Sequence, residues 1–299
     1  MDKFVIYFAG GTMRGVFGAG VATAFQEQNI YPKISAVYGA SAGVMIGAYF
    51  LSKQTKLGSS IYWEDLGKEF ISYKDFFIGV WQRFQDQFIK AVPQNKLRDA
   101  LNFNYLMNVV MNKKHLDTAQ ILLGDTPLCV KLFNLDTHII EYIDARRPDI
   151  LQILKAGVNA FPYVHEVTVI DEKRYIDAAI MDVVGFDYLK QKHPHEKIIV
   201  VINGQIDRKL RYRIKNILEG KFMQWMFDDP ALYSLYASAE DKLAKDIEKI
   251  KSDPNILLVT QEKDVLVRSR TTDTELLLEM YNLGIKAGRH ALKSSFVNS

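Results

Sequence analysis

Ser41 is the first residue in this chain whose surroundings suggest chemistry. It lies in Gly39-Ala40-Ser41-Ala42-Gly43, after the apolar run Ala36-Val37-Tyr38 and before Val44-Met45-Ile46-Gly47-Ala48. Gly-x-Ser-x-Gly between an apolar run and a stretch of small and apolar residues is the pattern of a nucleophile elbow, where a strand ends, turns sharply and starts a helix. Gly39 and Gly43 let that helix pack close to the strand. The Ser41 hydroxyl then stands at the tip, near a helix N-terminus whose N–H groups favour developing negative charge. The same five residues would serve equally as a tight packing turn, so the motif needs partners.

Acyl transfer by serine also needs an oxyanion hole and a base. Gly10-Gly11-Thr12-Met13-Arg14-Gly15 follows the continuous apolar run at 4–9. A glycine turn there exposes successive N–H groups, and parallel neighbouring strands bring them to the sheet edge that carries Ser41. A dinucleotide loop is the rival reading. However, Gly11, Gly15, Gly18 and Gly20 are wrongly spaced for it, the strand at 34–38 lacks a terminal acid, and no P-loop lysine motif occurs.

For the base, the histidines after Ser41 are His115, His138, His165, His193, His195 and His290. None follows a late strand as a Ser–acid–His triad requires, and each reads as a surface or structural residue. Asp177 is the better base. It ends the strand pattern at 174–176 and precedes the small residues Ala178 and Ala179. An aspartate bonded directly to serine can take its proton without an imidazole when burial or neighbours bring its pKa toward working pH.

The hydrophobic pattern supplies a scaffold for these residues. Residues 1–53 read strand, loop, helix, strand, elbow, helix, the start of an α/β fold with a parallel sheet. Residues 60–122 are aromatic-rich and helical in pattern, with Tyr62, Trp63, Phe70, Tyr73, Phe76, Phe77, Trp81, Phe84 and Phe88. They predict a helical insertion capping the site. Strand patterns follow at 128–133, 139–143, 164–170, 174–176, 197–202 and 256–259. Helical patterns cover 148–156, 209–227, 231–251 and 274–292. With no repeat, low-complexity tract or linker, residues 1–299 are expected to form one domain with that insertion and a C-terminal helical extension over about 205–299.

Composition agrees with a globular chain: 299 residues, 48% hydrophobic and 24% charged. A net charge of +3 is too mild to argue for nucleic acid. The single cysteine, Cys129, lies in an apolar run and reads as a core residue outside any internal disulfide. No apolar run approaches the ~18 residues of a membrane span, and no secretory leader pattern is visible. The expected setting is the cytoplasm. The stretch 208–218 mixes five basic residues with apolar ones, so peripheral contact with an anionic membrane is a further expectation.

These motifs, taken together, resemble the patatin-like phospholipases, in particular short bacterial single-domain members. The family's glycine loop is matched by Gly10-Gly11-Thr12-Met13-Arg14-Gly15 and its elbow by Gly39-Ala40-Ser41-Ala42-Gly43. Its small-residue segment ending in proline is matched by 156–162, and its Asp-Gly-Gly/Ala motif by Asp177-Ala178-Ala179. The basic helix from Arg208 and the ending Tyr281-Asn282-Leu283-Gly284 also fit, so the likeness covers nearly the whole chain.

The resemblance implies a three-layer α/β/α fold and a Ser–Asp dyad, with Ser41 as nucleophile and Asp177 as base. It also implies an oxyanion hole from the N–H groups of Gly10, Gly11 and Thr12. Arg14 either fixes that loop or meets an anionic head group. Substrates would be phospholipids or related acyl esters, hydrolysed without metal or cofactor. An acyltransferase on the same dyad and a non-catalytic lipid-binding or regulatory protein are the alternatives. Two positions depart from the family. Thr12 replaces a glycine. Ala178 replaces another, and would be strained if the backbone there needs a positive φ.

Overall fold

The computed structural model describes residues 3–67, 70, 78, 101–161, 163, 164, 166–204, 210–261 and 267–298. Tyr73, Phe76, Phe77, Trp81, Phe84 and Phe88 of the expected insertion lie outside these residues, as do Pro162, His165, Arg208 and Lys209.

The fold is a mixed sheet flanked by helices. Its elements are β1 (Phe4–Phe8), α1 (Val16–Glu27), β2 (Ile34–Gly39), α2 (Ala42–Leu51), α3 (Thr55–Glu64), α4 (Phe103–Asn108) and α5 (Thr118–Leu122). Then come β3 (Leu128–Asn134), β4 (Ile139–Asp144), α6 (Ile150–Val158), β5 (Thr168–Ile170), β6 (Lys173–Asp177), α7 (Phe186–Lys192) and β7 (Lys197–Ile202). The chain closes with α8 (Leu210–Phe227), α9 (Pro230–Ser252), β8 (Ile256–Thr260), α10 (Thr274–Lys293) and the short α11 (Ser295–Asn298).

The sheet runs β5-β6-β3-β2-β1-β7-β8, with β4 also on β3. β1 is an interior strand between β2 and β7, and its five residues are all buried because helices cover both faces. Phe4, Ile6 and Phe8 face one core with residues of α1, α2, α3, α6 and α10. Val5, Tyr7 and Ala9 face the other, with residues of α7 and α9. This alternation along one strand makes the three layers.

One stretch differs from the sequence pattern. The run 164–170 forms only a three-residue strand, β5, because β6 pairs it over Thr168–Ile170 alone. The strand expected at 256–259 is β8, which extends the sheet. β8 pairs parallel with β7, and α10 lies on α1 with backbones touching. A Cβ on Gly284 would come within 2.1 Å of the Phe17 carbonyl oxygen, so only glycine permits that approach.

Candidate active site

The elbow is present in the backbone. β2 ends at Gly39, α2 begins at Ala42, and Ser41 between them has φ 53° and ψ −128°. A non-glycine residue there is strained, and such strain persists only where the surroundings enforce it. Here a Cβ on Gly43 would sit 1.9 Å from the Phe8 carbonyl oxygen, and one on Gly39 2.7 Å from that of Gly43. The Ser41 N–H donates to the Gly157 carbonyl at the end of α6, 2.9 Å away, which ties down the tip.

Sheet register brings Asp177 to this tip. β4 pairs one edge of β3 from Cys129 to Asn134. β2 and β6 must therefore share the other edge, β2 ending with Gly39 opposite Val130 and β6 with Asp177 opposite Leu132. β2 is parallel to β3 and β6 antiparallel, so the two strands end facing one another. The Asp177 N–H donates to the Asn159 carbonyl at 3.1 Å. Its Oδ1 accepts from the Ala179 N–H at 2.8 Å, whereas Oδ2 is buried without a partner of ordinary hydrogen-bond geometry. Burial pushes the carboxyl up to about 7, against the opposing pull of the Ala179 N–H, the Ser41 hydroxyl and the Lys131 ammonium.

The glycine loop stands against both residues. A Cβ on Gly10 would lie 2.9 Å from the Ser41 Cβ and 3.1 Å from that of Ala179. Among the described residues, no protein group accepts a hydrogen bond from the Gly10 or Gly11 N–H. Thr12 occupies the left-handed region at φ 50°, which costs a β-branched side chain about 1–2 kcal/mol. Arg14 reaches back to this loop: its Nε points at the Gly11 carbonyl, 3.5 Å away, and its guanidinium lies over Gly204.

Two supporting residues escape sequence reasoning. Asn203 follows β7 and is buried; its Nδ2 donates to the Ala9 carbonyl at 2.6 Å and its Oδ1 accepts from the Gly18 N–H at 2.8 Å. It thereby clamps the glycine loop from both ends. Lys131, on β3, is fully buried. Its Nζ donates to the Asp182 carbonyl at 2.5 Å and lies 3.0 Å from the Asp182 carboxylate, in the loop that leaves Asp177. Asp182 also takes Lys242 at 2.6 Å. Its carboxyl is held down to about 2: these two ammonium groups outweigh burial, which acts in the opposite direction.

Ala178 is not at positive φ, and its methyl group is fully buried. The expected strain there does not exist, because the turn after Asp177 closes through the Ala178 carbonyl, which accepts from the N–H groups of Met181 and Asp182 at 3.1 and 3.0 Å.

An apolar cleft opens beside Ser41. It follows one face of α2 through Ala42, Met45, Ile46 and Tyr49, with Ala19 and Ala22 of α1 as its floor. Further apolar residues, among them Leu101 and Phe103, complete the lining. Thr12 and Ser41 lie in the same cleft, so an apolar chain held there would end at the serine.

His193 is bonded to Tyr38 at 2.8 Å and to Glu196, His138 to Asp229, and His115 to the Met111 carbonyl at 2.8 Å. None of these bonds involves Ser41 or Asp177. Burial pushes the Cys129 thiol up to about 11, so it is no nucleophile. Among the described residues no group of His, Cys, Asp or Glu could hold a metal ion, and no helix is long and apolar enough to cross a membrane.

A family model described as patatin-like phospholipase matches residues 6–190, a span that includes the glycine loop, the elbow and Asp177. No curated protein matches the chain. Among solved structures, VipD from Legionella pneumophila is similar at 12% identity and a TM-score of 0.48, over 97% of this chain and 66% of that one. The chain thus spans slightly less than two thirds of that structure.

Proposed function

From the membership of this chain in the patatin-like phospholipase family, we propose that it is a lipid acyl-ester hydrolase working through a Ser41–Asp177 dyad. The carrying observation is the meeting of a strained serine, a buried carboxyl pushed up to about 7 and an apolar cleft at one sheet edge.

In this reading the ester's acyl chain lies along α2 and its carbonyl carbon rests over Ser41. Ionised Asp177 accepts the Ser41 proton as Oγ attacks. The negative charge that develops on the carbonyl oxygen meets the N–H groups of Gly10, Gly11 and Thr12, preorganised before the reaction and so costing no reorganisation during it. Protonated Asp177 then returns the proton to the leaving alcohol, and water repeats the cycle on the acyl-enzyme. Asn203 and Arg14 hold the loop so that its donors stay aimed. The Ser41 N–H is already taken by Gly157, and those of Gly43 and Val44 by Ala40 and Ser41, which leaves the glycine loop and the Ala42 N–H as the sources of donors.

A fluorophosphonate probe tests this directly. The native protein should be labelled at Ser41 and should hydrolyse a long-chain ester. Ser41→Ala should lose both while keeping its fold. Undiminished labelling of that variant would exclude the dyad.

A further inference from the structure

α8 is built inside out. Its buried side carries Asn216, Glu219, Gly220 and Met223. Asn216 bonds Glu240 of α9 at 3.3 Å, and Gly220 packs against Tyr236. Its outward side carries Ile214, 51% exposed, and Leu218, 62% exposed. Half-buried Phe222 continues that stripe at the same four-residue spacing, and its ring lies 5.5 Å from that of Trp225. A helix shaped only by packing in its own fold would turn the isoleucine and leucine inward and the asparagine and glutamate outward.

The charges around the stripe are one-sided. From Ile214 to Trp225 the helix has two basic residues, Lys215 and Lys221, both exposed, and one acid. That acid, Glu219, is buried, accepts from the Tyr163 hydroxyl and is paired with Lys215 at 3.0 Å. Among the described residues of this helix, the outward face is therefore apolar and basic without a carboxylate. Two copies of it would set like charges against each other. An anionic lipid surface offers what this face lacks: negative head groups for its lysines and an acyl region for its aliphatic residues.

The helix is also tied to the cleft. Glu219 holds Tyr163, whose N–H donates to the Ala160 carbonyl at 3.0 Å and whose carbonyl accepts from the Leu101 N–H at 3.4 Å. Ala160 and Leu101 both line the cleft. We propose that the outward face of α8, centred on Ile214, Leu218 and Phe222 and flanked by Lys215 and Lys221, seats the protein on an anionic phospholipid surface. This rests on the hydrolase reading for its purpose, since it places the cleft beside a membrane-borne ester, but not for its binding.

Flotation of the full chain with phosphatidylcholine vesicles, with and without phosphatidylglycerol, tests it. The protein should float with the anionic vesicles, weakly with the neutral ones, and less at high salt. Ile214→Asp/Leu218→Asp should bind roughly a hundredfold more weakly, and Lys221→Glu roughly tenfold more weakly. Both should keep the wild-type melting temperature and fluorophosphonate labelling in solution. Ser41→Ala should float as wild type does, so failure of the dyad leaves this result intact. Equal flotation on both vesicle types, no flotation on either, or wild-type flotation of the double variant would each overturn the proposal. So would a dimer dissolved by the double variant with flotation unchanged.

Discussion

Gly39 and Asp177 end their strands on the same edge of β3, two residues apart along it. β2 and β6 arrive from opposite directions, and the chain leaves one as the elbow and the other as the turn through Ala178. The encounter of Ser41 with Asp177 is thus set by backbone pairing in the sheet, which is more rigid than a site assembled from loops.

The first prediction concerns pH. In the proposed dyad Asp177 acts as base only when ionised, so turnover should rise with pH through about 7, where burial has pushed its carboxyl. An imidazole titrating at its ordinary value of about 6.5 would give nearly the same limb. The profile therefore does not separate the two bases, and substitution must. Asp177→Asn should lower kcat by about 10²–10⁴. Initial rates on a soluble ester across pH measure both effects, and a fully active Asn variant would reassign the base.

The second prediction is a gain in stability. Unfolded, Asp177 releases its proton at about 3.9; folded, it holds the proton up to about 7. Between those values the native state binds more protons, so stability falls as pH rises through this window. The cost is complete above the folded value and absent below the unfolded one. Asp177→Asn removes it, and should stabilise the protein by ~2–4 kcal/mol above pH 7 and by almost nothing near pH 4. Thermal melts at the two ends of the window provide the comparison. Equal melting temperatures at alkaline pH would mean that the carboxylate is better solvated than its burial implies.

The third prediction contrasts two positions that depart from the family pattern. Thr12 sits at φ 50°, and Ala178 does not have a positive φ. Thr12→Gly should therefore stabilise by about 0.5–1 kcal/mol after the entropy of the new glycine is counted. Ala178→Gly should destabilise by ~1 kcal/mol, because it removes a buried methyl group and gains no relief. Urea titrations of both variants decide between them. Opposite signs would mean that the strain lies after the aspartate.

The features legible in the sequence are the local ones. The elbow, the glycine loop and Asp177 each declare themselves within a few residues, because a tight turn demands small residues whatever surrounds it. Asn203 does not, since its role depends on β7 lying beside β1, a neighbour relation between strands nearly two hundred residues apart. Lys131 is a single charge inside an apolar strand pattern. Only the cover of β3 on both faces shows that its ammonium is buried against Asp182. The strain expected at Ala178 failed for a related reason: a motif transfers residue identity, whereas φ follows from the closing hydrogen bonds of the turn.

The fourth prediction tests Lys131. Its ammonium favours ionised Asp177, and its contacts with Asp182 hold the loop between them. Asp177 also feels the Ser41 hydroxyl and the Ala179 N–H, which a change at Lys131 leaves in place. Lys131→Met should move the acid limb of the rate profile above about 7, and should destabilise by ~3 kcal/mol by leaving Asp182 with Lys242 as its one cationic partner among the described residues. Lys131→Met/Asp182→Leu should recover part of the stability without restoring the limb. A limb unmoved in both variants would reduce Lys131 to a structural role.

The last prediction concerns what the cleft accepts. Ala19 and Ala22 line it three residues apart on α1, opposite Met45 and Tyr49 of α2. Their small side chains leave the space an acyl chain would fill. Ala22→Phe puts a ring into that space while Ser41, Asp177 and the glycine loop stay untouched. Hydrolysis of a short-chain ester, which does not reach the ring, should persist. The ratio of long-chain to short-chain kcat/KM should fall about tenfold or more, since each displaced methylene forfeits its transfer energy. Overpacking could cost about 1–3 kcal/mol of stability, so the melting temperature is read alongside. A ratio unchanged in a folded variant would show that the acyl chain lies elsewhere, and would separate the cleft from the dyad.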